Sequence, residues 1–65
     1  MQIKVTLVEP CGFLGIGEGT DADSGARVSF VGEFRMLAEI AEALDAGEEV
    51  VAEVPEWAIT WREAA

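Results

Sequence analysis

Only one stretch of this chain has its apolar residues at helical spacing, which limits the folds open to it. Between Gly32 and Ala46 they occur at positions 34, 37, 40, 41 and 44, which form one face of an amphipathic helix. Glu33 in the first turn favours the positive end of the helix dipole, and Gly47 provides a stop after the last turn. We therefore predict a single helix, Gly32–Ala46, with strands and turns around it.

Strand-like segments flank this helix on both sides. The predicted strands cover residues 2–9, 13–18, 26–31, 49–54 and 57–62, with a polar loop at 19–25. The last strand has an alternative: Pro55 could begin a helix in which Trp57 and Trp61 stack, four residues apart, although Ile59 and Thr60 are β-branched and favour a strand. The order βββαββ predicts one α+β domain over residues 1–65, an antiparallel sheet of about five strands with the helix on one face.

The alternation of the strands and the helical stripe together define a core. The predicted core residues are Ile3, Val5, Leu7, Val28, Phe30, Phe34, Leu37, Ile40, Leu44, Val50 or Val51, Ile59 and Trp61. A chain of 65 residues leaves few of these side chains over for lining a cavity.

The absence of histidine argues against an enzyme. Without imidazole there is no ordinary acyl-transfer triad, and Cys11 has no base to deprotonate it. We expect no catalytic residue, and Cys11 buried at the end of the first strand. A lone cysteine excludes an intrachain disulfide, and Met1 opens into a strand without a basic leader, so we expect a cytoplasmic protein. No apolar run approaches the roughly 20 residues of a membrane span, so we expect no contact with membranes.

Two loops could suggest a ligand, and neither carries the full pattern. Gly12–Gly19 is glycine-rich, but no helix or lysine follows it to hold a phosphate, so the glycines indicate a bulge or tight twist. Asp21 and Asp23 begin like a calcium loop, yet Gly25 stands where a third acid belongs. We expect no cofactor and no metal.

The acidic residues are the strongest functional feature. Thirteen Asp and Glu stand against four Lys and Arg, giving a net charge of −9, so direct nucleic-acid binding is not expected. Seven carboxylates between positions 39 and 56 have no basic residue among them, and their spacing could imitate a run of backbone phosphates. Plain solubility is the simpler reason for such charge. The predicted partner-binding residues are Glu39, Glu42, Asp45, Glu48, Glu49, Glu53, Glu56 and Trp57.

In its size, its lack of a catalytic set and its acidic run, the chain resembles the small anti-CRISPR proteins of phages and mobile elements. The segments that carry the resemblance are MQIKVTLVEP, FRMLAEIAEALDAGEEV and VPEWAITW, and these inhibitors share no common motif. The resemblance implies a non-enzymatic DNA mimic in the host bacterial cytoplasm. It would occupy the basic surface with which a type I CRISPR-Cas surveillance complex grips target DNA or reads its PAM.

Two other resemblances remain open. The opening MQIKV with a later helix is similar to the β-grasp of ubiquitin-like sulfur carriers, without their Gly-Gly tail. Three strands followed by a helix also resemble HicB-type antitoxins. An acidic antitoxin or small adaptor that neutralises a basic toxin-like partner would use the same electrostatics.

Overall fold

The computed structural model describes residues 1–64 as one five-stranded antiparallel sheet with a single α-helix packed against it. The strands are β1 (Gln2–Cys11), β2 (Leu14–Asp21), β3 (Arg27–Glu33), β4 (Val50–Glu53) and β5 (Ile59–Arg62). The helix α1 covers Phe34–Asp45, and one turn of 3-10 helix covers Glu56–Ala58. In space the strands follow the order β4-β1-β2-β3-β5. The predicted α+β class and the element order βββαββ are confirmed.

A bulge in β1 explains why Leu7 is not in the core. Ile3 and Val5 point inward and are buried, but the pairing of β1 with β2 shifts register between Val5 and Leu7. The extra residue reverses the alternation. Val8 therefore packs against the core, whereas Leu7, predicted as a core residue, is exposed.

Glycines on the inner side of β2 allow the other elements to approach it closely. A Cβ on Gly15 would lie 2.6 Å from Cδ1 of Leu37 in α1, and a Cβ on Gly17 would overlap the ring of Phe30. Leu37 and Phe30 are both fully buried in this space. The glycines were expected to indicate a bulge or tight twist, but β2 is eight residues long and pairs with β3 without a register shift, and these two side chains fill the space above it.

Strand pairing moves several of the predicted boundaries. β2 continues to Asp21 because Thr20 pairs with Lys4 on one side and with Arg27 on the other, which shortens the predicted loop. β3 continues to Glu33, which pairs with Leu14, so α1 begins at Phe34 rather than at Gly32. Glu33 is therefore the residue before the helix, not part of its first turn. Phe34, at the exposed start of α1, was wrongly predicted to be buried.

The end of α1 confirms the role predicted for Gly47. Gly47 has a φ of 81° and donates its N–H to the carbonyl of Leu44 at 3.0 Å. Glu48 donates its N–H to the carbonyl of Ala43, also at 3.0 Å. These two bonds form a Schellman motif, in which a glycine adopts the left-handed conformation just beyond the helix.

The segment between β4 and β5 contributes two residues to the core that the sequence pattern did not predict. β4 and β5 lie at opposite edges of the sheet, so residues 54–58 must cross it. Val54 donates its N–H to the carbonyl of Met1 at 2.8 Å, and Val54 and Ala58 are buried. Trp61, predicted as a core residue, instead pairs with Ser29 and is half exposed. The alternative of a longer helix after Pro55 is wrong, since only Glu56–Ala58 is helical there.

Candidate functional site

The predicted partner-binding carboxylates divide into two groups in the structure. Glu49, Glu53 and Glu56 each lie in an ion pair, and the four remaining residues have no ion pair within residues 1–64. We call the second group the acidic helix end; its members are Glu39, Glu42, Asp45 and Glu48. The prediction of one uncompensated run is therefore wrong for three of its seven carboxylates.

Two basic side chains and the N-terminal ammonium compensate these three carboxylates. Lys4 on β1 lies 3.3 Å from Glu49, and Arg62 on β5 lies 3.2 Å from Glu56. The N-terminal ammonium lies 3.2 Å from Glu53, which also accepts a hydrogen bond from the Gln2 amide at 2.6 Å. Such exposed pairs contribute only about 0–1 kcal/mol each. They nevertheless reduce the negative field on this side of the molecule.

The acidic helix end is an exposed surface around the last turns of α1. Glu39, Glu42 and Glu48 border one shallow depression whose floor contains Ala43 and Ala46. Asp45 follows Glu42 by three residues, a spacing that makes helical side chains neighbours. None of the four carboxylates forms an ion pair within residues 1–64, and Arg35, one turn before Glu39, also forms none.

Two of these carboxylates, Glu42 and Asp45, lie in the last turn of α1, where negative charge is electrostatically unfavourable. The carboxyl end of a helix carries partial negative charge, and cations there are stabilising. The last turn of α1 contains no basic residue and ends at Asp45. Helix stability therefore does not account for this placement, and solubility accounts for the number of acids but not for their position.

Trp57 is separate from the acidic helix end. It is 83% exposed and lines an apolar groove of about 460 Å³ together with Leu14, Val31 and Met36.

Trp61 is also exposed and stacks on Arg27, whose Cζ lies 5.8 Å from the ring centroid. The expectation that one tryptophan is buried is wrong. The sequence contained a signal for the groove: in residues 14–17, Leu14 and Ile16 alternate with glycines that face the core, so both point outward.

The other candidate residues have ordinary structural roles. Cys11 is exposed, not buried as predicted, because it pairs with Leu14 at the tip of the β1–β2 hairpin. Asp21 closes the turn between β2 and β3: its Oδ1 accepts the N–H of Asp23 at 2.8 Å, which holds the pKa of this carboxyl below its usual range. Within residues 1–64, no group of three or more His, Cys, Asp or Glu could hold a metal ion.

Comparisons with protein-family models, curated protein sequences and solved structures found no match. Among the helices of residues 1–64, none is long and apolar enough to cross a membrane.

Proposed function

We propose that this protein is a non-enzymatic inhibitor that binds a basic, nucleic-acid-binding surface of another protein through the acidic helix end. The observation that supports this is that Glu39, Glu42, Asp45 and Glu48 share one surface without an ion pair within residues 1–64. The charges of Glu42 and Asp45, in the last turn of α1, also oppose the helix dipole. A basic partner surface would relieve the repulsion between these carboxylates on binding. The electrostatic destabilisation of the unbound protein would therefore contribute to the binding free energy.

The target class follows from the resemblance to anti-CRISPR proteins. A type I CRISPR-Cas surveillance complex holds target DNA on a basic surface, and the exposed carboxylates would take the place of DNA phosphates there. Cys11 is a free thiol, which fits a reducing cytoplasm, where such a complex works. The same surface would also serve an acidic antitoxin or adaptor that neutralises a basic toxin-like protein.

The test compares two variants with the same change of charge. Glu39→Gln/Glu42→Gln/Glu48→Gln removes three carboxylates from the acidic helix end, and Glu49→Gln/Glu53→Gln/Glu56→Gln removes the three that are paired. The assay measures how well each protein prevents a purified type I surveillance complex from binding its target DNA, at several salt concentrations. Three lost pairs of about 0.5 kcal/mol each predict roughly tenfold weaker inhibition for the first variant, with a shallower salt dependence. The second variant should lose much less.

Equal losses in the two variants would show that net charge alone matters and would contradict the proposed site. A surveillance complex that binds DNA normally in the presence of the unaltered protein would contradict the proposed target. In that case, neutralisation of a basic RNA-cleaving toxin by the same protein would favour the antitoxin.

A further inference from the structure

The apolar groove beside Trp57 follows an open edge of the sheet. β5 pairs with β3 only from Val28 to Phe30, so no strand within residues 1–64 covers β3 from Val31 to Glu33 on that side. Val31, Gly32 and Glu33 all line the groove. Three consecutive residues of a strand cannot all point to one face of a sheet, so the groove runs along the edge of β3.

The backbone at this edge presents hydrogen-bonding groups to the groove. Glu63 donates its N–H to the carbonyl of Arg27 at 2.8 Å, which shows that the odd-numbered residues of β3 direct their backbone groups toward β5. β3 pairs with β2 without a register shift as far as Glu33, so the alternation continues. Val31 and Glu33 therefore direct their backbone groups toward this edge. The pairing of Phe30 with Ile59 uses the N–H of Val31, and Glu33, as the residue before α1, gives its C=O to the helix. The C=O of Val31 and the N–H of Glu33 are the two groups left for an added strand.

The side chains around this edge are mostly apolar. Trp57, Pro55 and Met36 line the groove with Leu14, which is 58% exposed. Glu33 is the one ionisable residue among those that line it, and it has no ion pair within residues 1–64. Backbone groups at an edge, an apolar pocket for one side chain and a carboxylate beside it are the elements with which sheets bind extended peptides.

We propose that this groove binds an extended segment of another protein as a strand added to β3. An apolar side chain of that segment packs against Trp57, Leu14 and Met36, and a neighbouring Lys or Arg pairs with Glu33. A second copy of this chain is disfavoured as the occupant, because each copy carries a net charge of −9 and two copies repel each other. The groove contains no residue of the acidic helix end, so a test of peptide binding at the groove is independent of the proposed function.

The test uses a synthetic peptide of alternating lysine and leucine, six residues long, with both ends blocked. Binding is followed by amide NMR shifts and, in a Trp61→Phe background, by the fluorescence of Trp57. We expect shifts concentrated at residues 31–33 and 57. A peptide methylated on alternate backbone nitrogens keeps its charge and side chains but cannot donate along the edge, and it should bind at least about tenfold more weakly. Equal binding of the two peptides, or shifts centred on the acidic helix end, would overturn the proposal.

Two protein variants separate the groove from general attraction between opposite charges. Trp57→Ala removes one wall of the groove and should weaken peptide binding at least about fivefold. Trp61→Ala removes an exposed tryptophan that pairs with β3 but does not line the groove, and it should leave binding within about twofold. Both side chains are at least half exposed, so we expect both variants to fold. Losses of the same size in both would contradict the groove as the site.

Discussion

The core of this protein is tightly packed at Gly17, where there is no room for a side chain. Its missing side chain is replaced by the ring of Phe30, which lies on the paired residue of β3 and is fully buried. Gly17→Ala should destabilise the fold by about 1–3 kcal/mol, because the new methyl group and the ring cannot occupy the same space. Denaturant unfolding measures the change.

Gly32 provides the matched control for this substitution. It lies in the neighbouring strand, and the nearest atom to a new Cβ there would be Cδ2 of Leu37 at 3.4 Å, an ordinary contact. Gly32→Ala should therefore change the free energy of unfolding by less than about 1 kcal/mol. If the two variants were equally stable, the close packing of Phe30 over Gly17 would be refuted.

Asp21 gives the stability a specific pH dependence. Its folded-state pKa is lowered, chiefly by the N–H of Asp23, so its contribution is present above the ordinary pKa of 3.8 and is lost as the pH falls through the folded value. Asp21→Asn keeps an acceptor for the turn but removes the charge. The native protein should be the more stable of the two at pH 7, and the difference should shrink below pH 3.8. A difference that does not change with pH would contradict this assignment.

The charges on α1 are arranged for something other than helix stability. Neutralising the two carboxylates nearest its end, in Glu42→Gln/Asp45→Asn, should raise the free energy of unfolding by about 0.3–1 kcal/mol at low salt, because both oppose the dipole. Glu49→Gln/Glu53→Gln removes the same charge from paired positions, and thermal unfolding should show no comparable gain. A loss of stability in the first variant would mean that these carboxylates support the helix.

The order of the elements could be predicted from the sequence, but their boundaries could not. Periodicity identified α1 and the strands because each buries one face. The start of α1 depends on the pairing of Glu33 with Leu14, which is a contact between strands and leaves no local pattern. Likewise, the exposure of Leu7 follows from a bulge, which a single alternating sequence does not reveal.

The candidate site was predictable only in part, for a similar reason. The carboxylates on α1 share a surface because helical spacing determines which side chains are neighbours. Glu49 is compensated by Lys4, which belongs to a strand far away in the sequence. Glu56 is compensated by Arg62, only six residues further on, but this pair depends on the chain turning between the 3-10 helix and β5. The groove depends on where β5 stops pairing with β3, which is a property of the assembled sheet.

The excess of negative charge should affect the stability of the entire molecule. At a net charge of −9 the folded chain repels itself, and the ion pairs within residues 1–64 are all exposed or partly exposed. Raising the NaCl concentration from about 10 mM to about 500 mM shortens the screening length from about 30 Å to less than 8 Å. If this screening contributes about 1 kcal/mol, the melting temperature should rise by about 4–8 °C. A falling melting temperature would mean that the ion pairs outweigh the repulsion.

The crossing of residues 54–58 has a consequence for how the chain assembles. β4 and β5 are consecutive in the sequence but lie at opposite edges of the sheet, so each joins a different strand: β4 pairs with β1, and β5 pairs with β3. During synthesis, the edge of β3 that faces β5 has no strand partner until residues 59–62 have left the ribosome. The pair that spans the longest stretch of sequence is β1 with β4, in which Gln2 pairs with Glu53, so contact order predicts that this pair, rather than β3 with β5, forms late in folding.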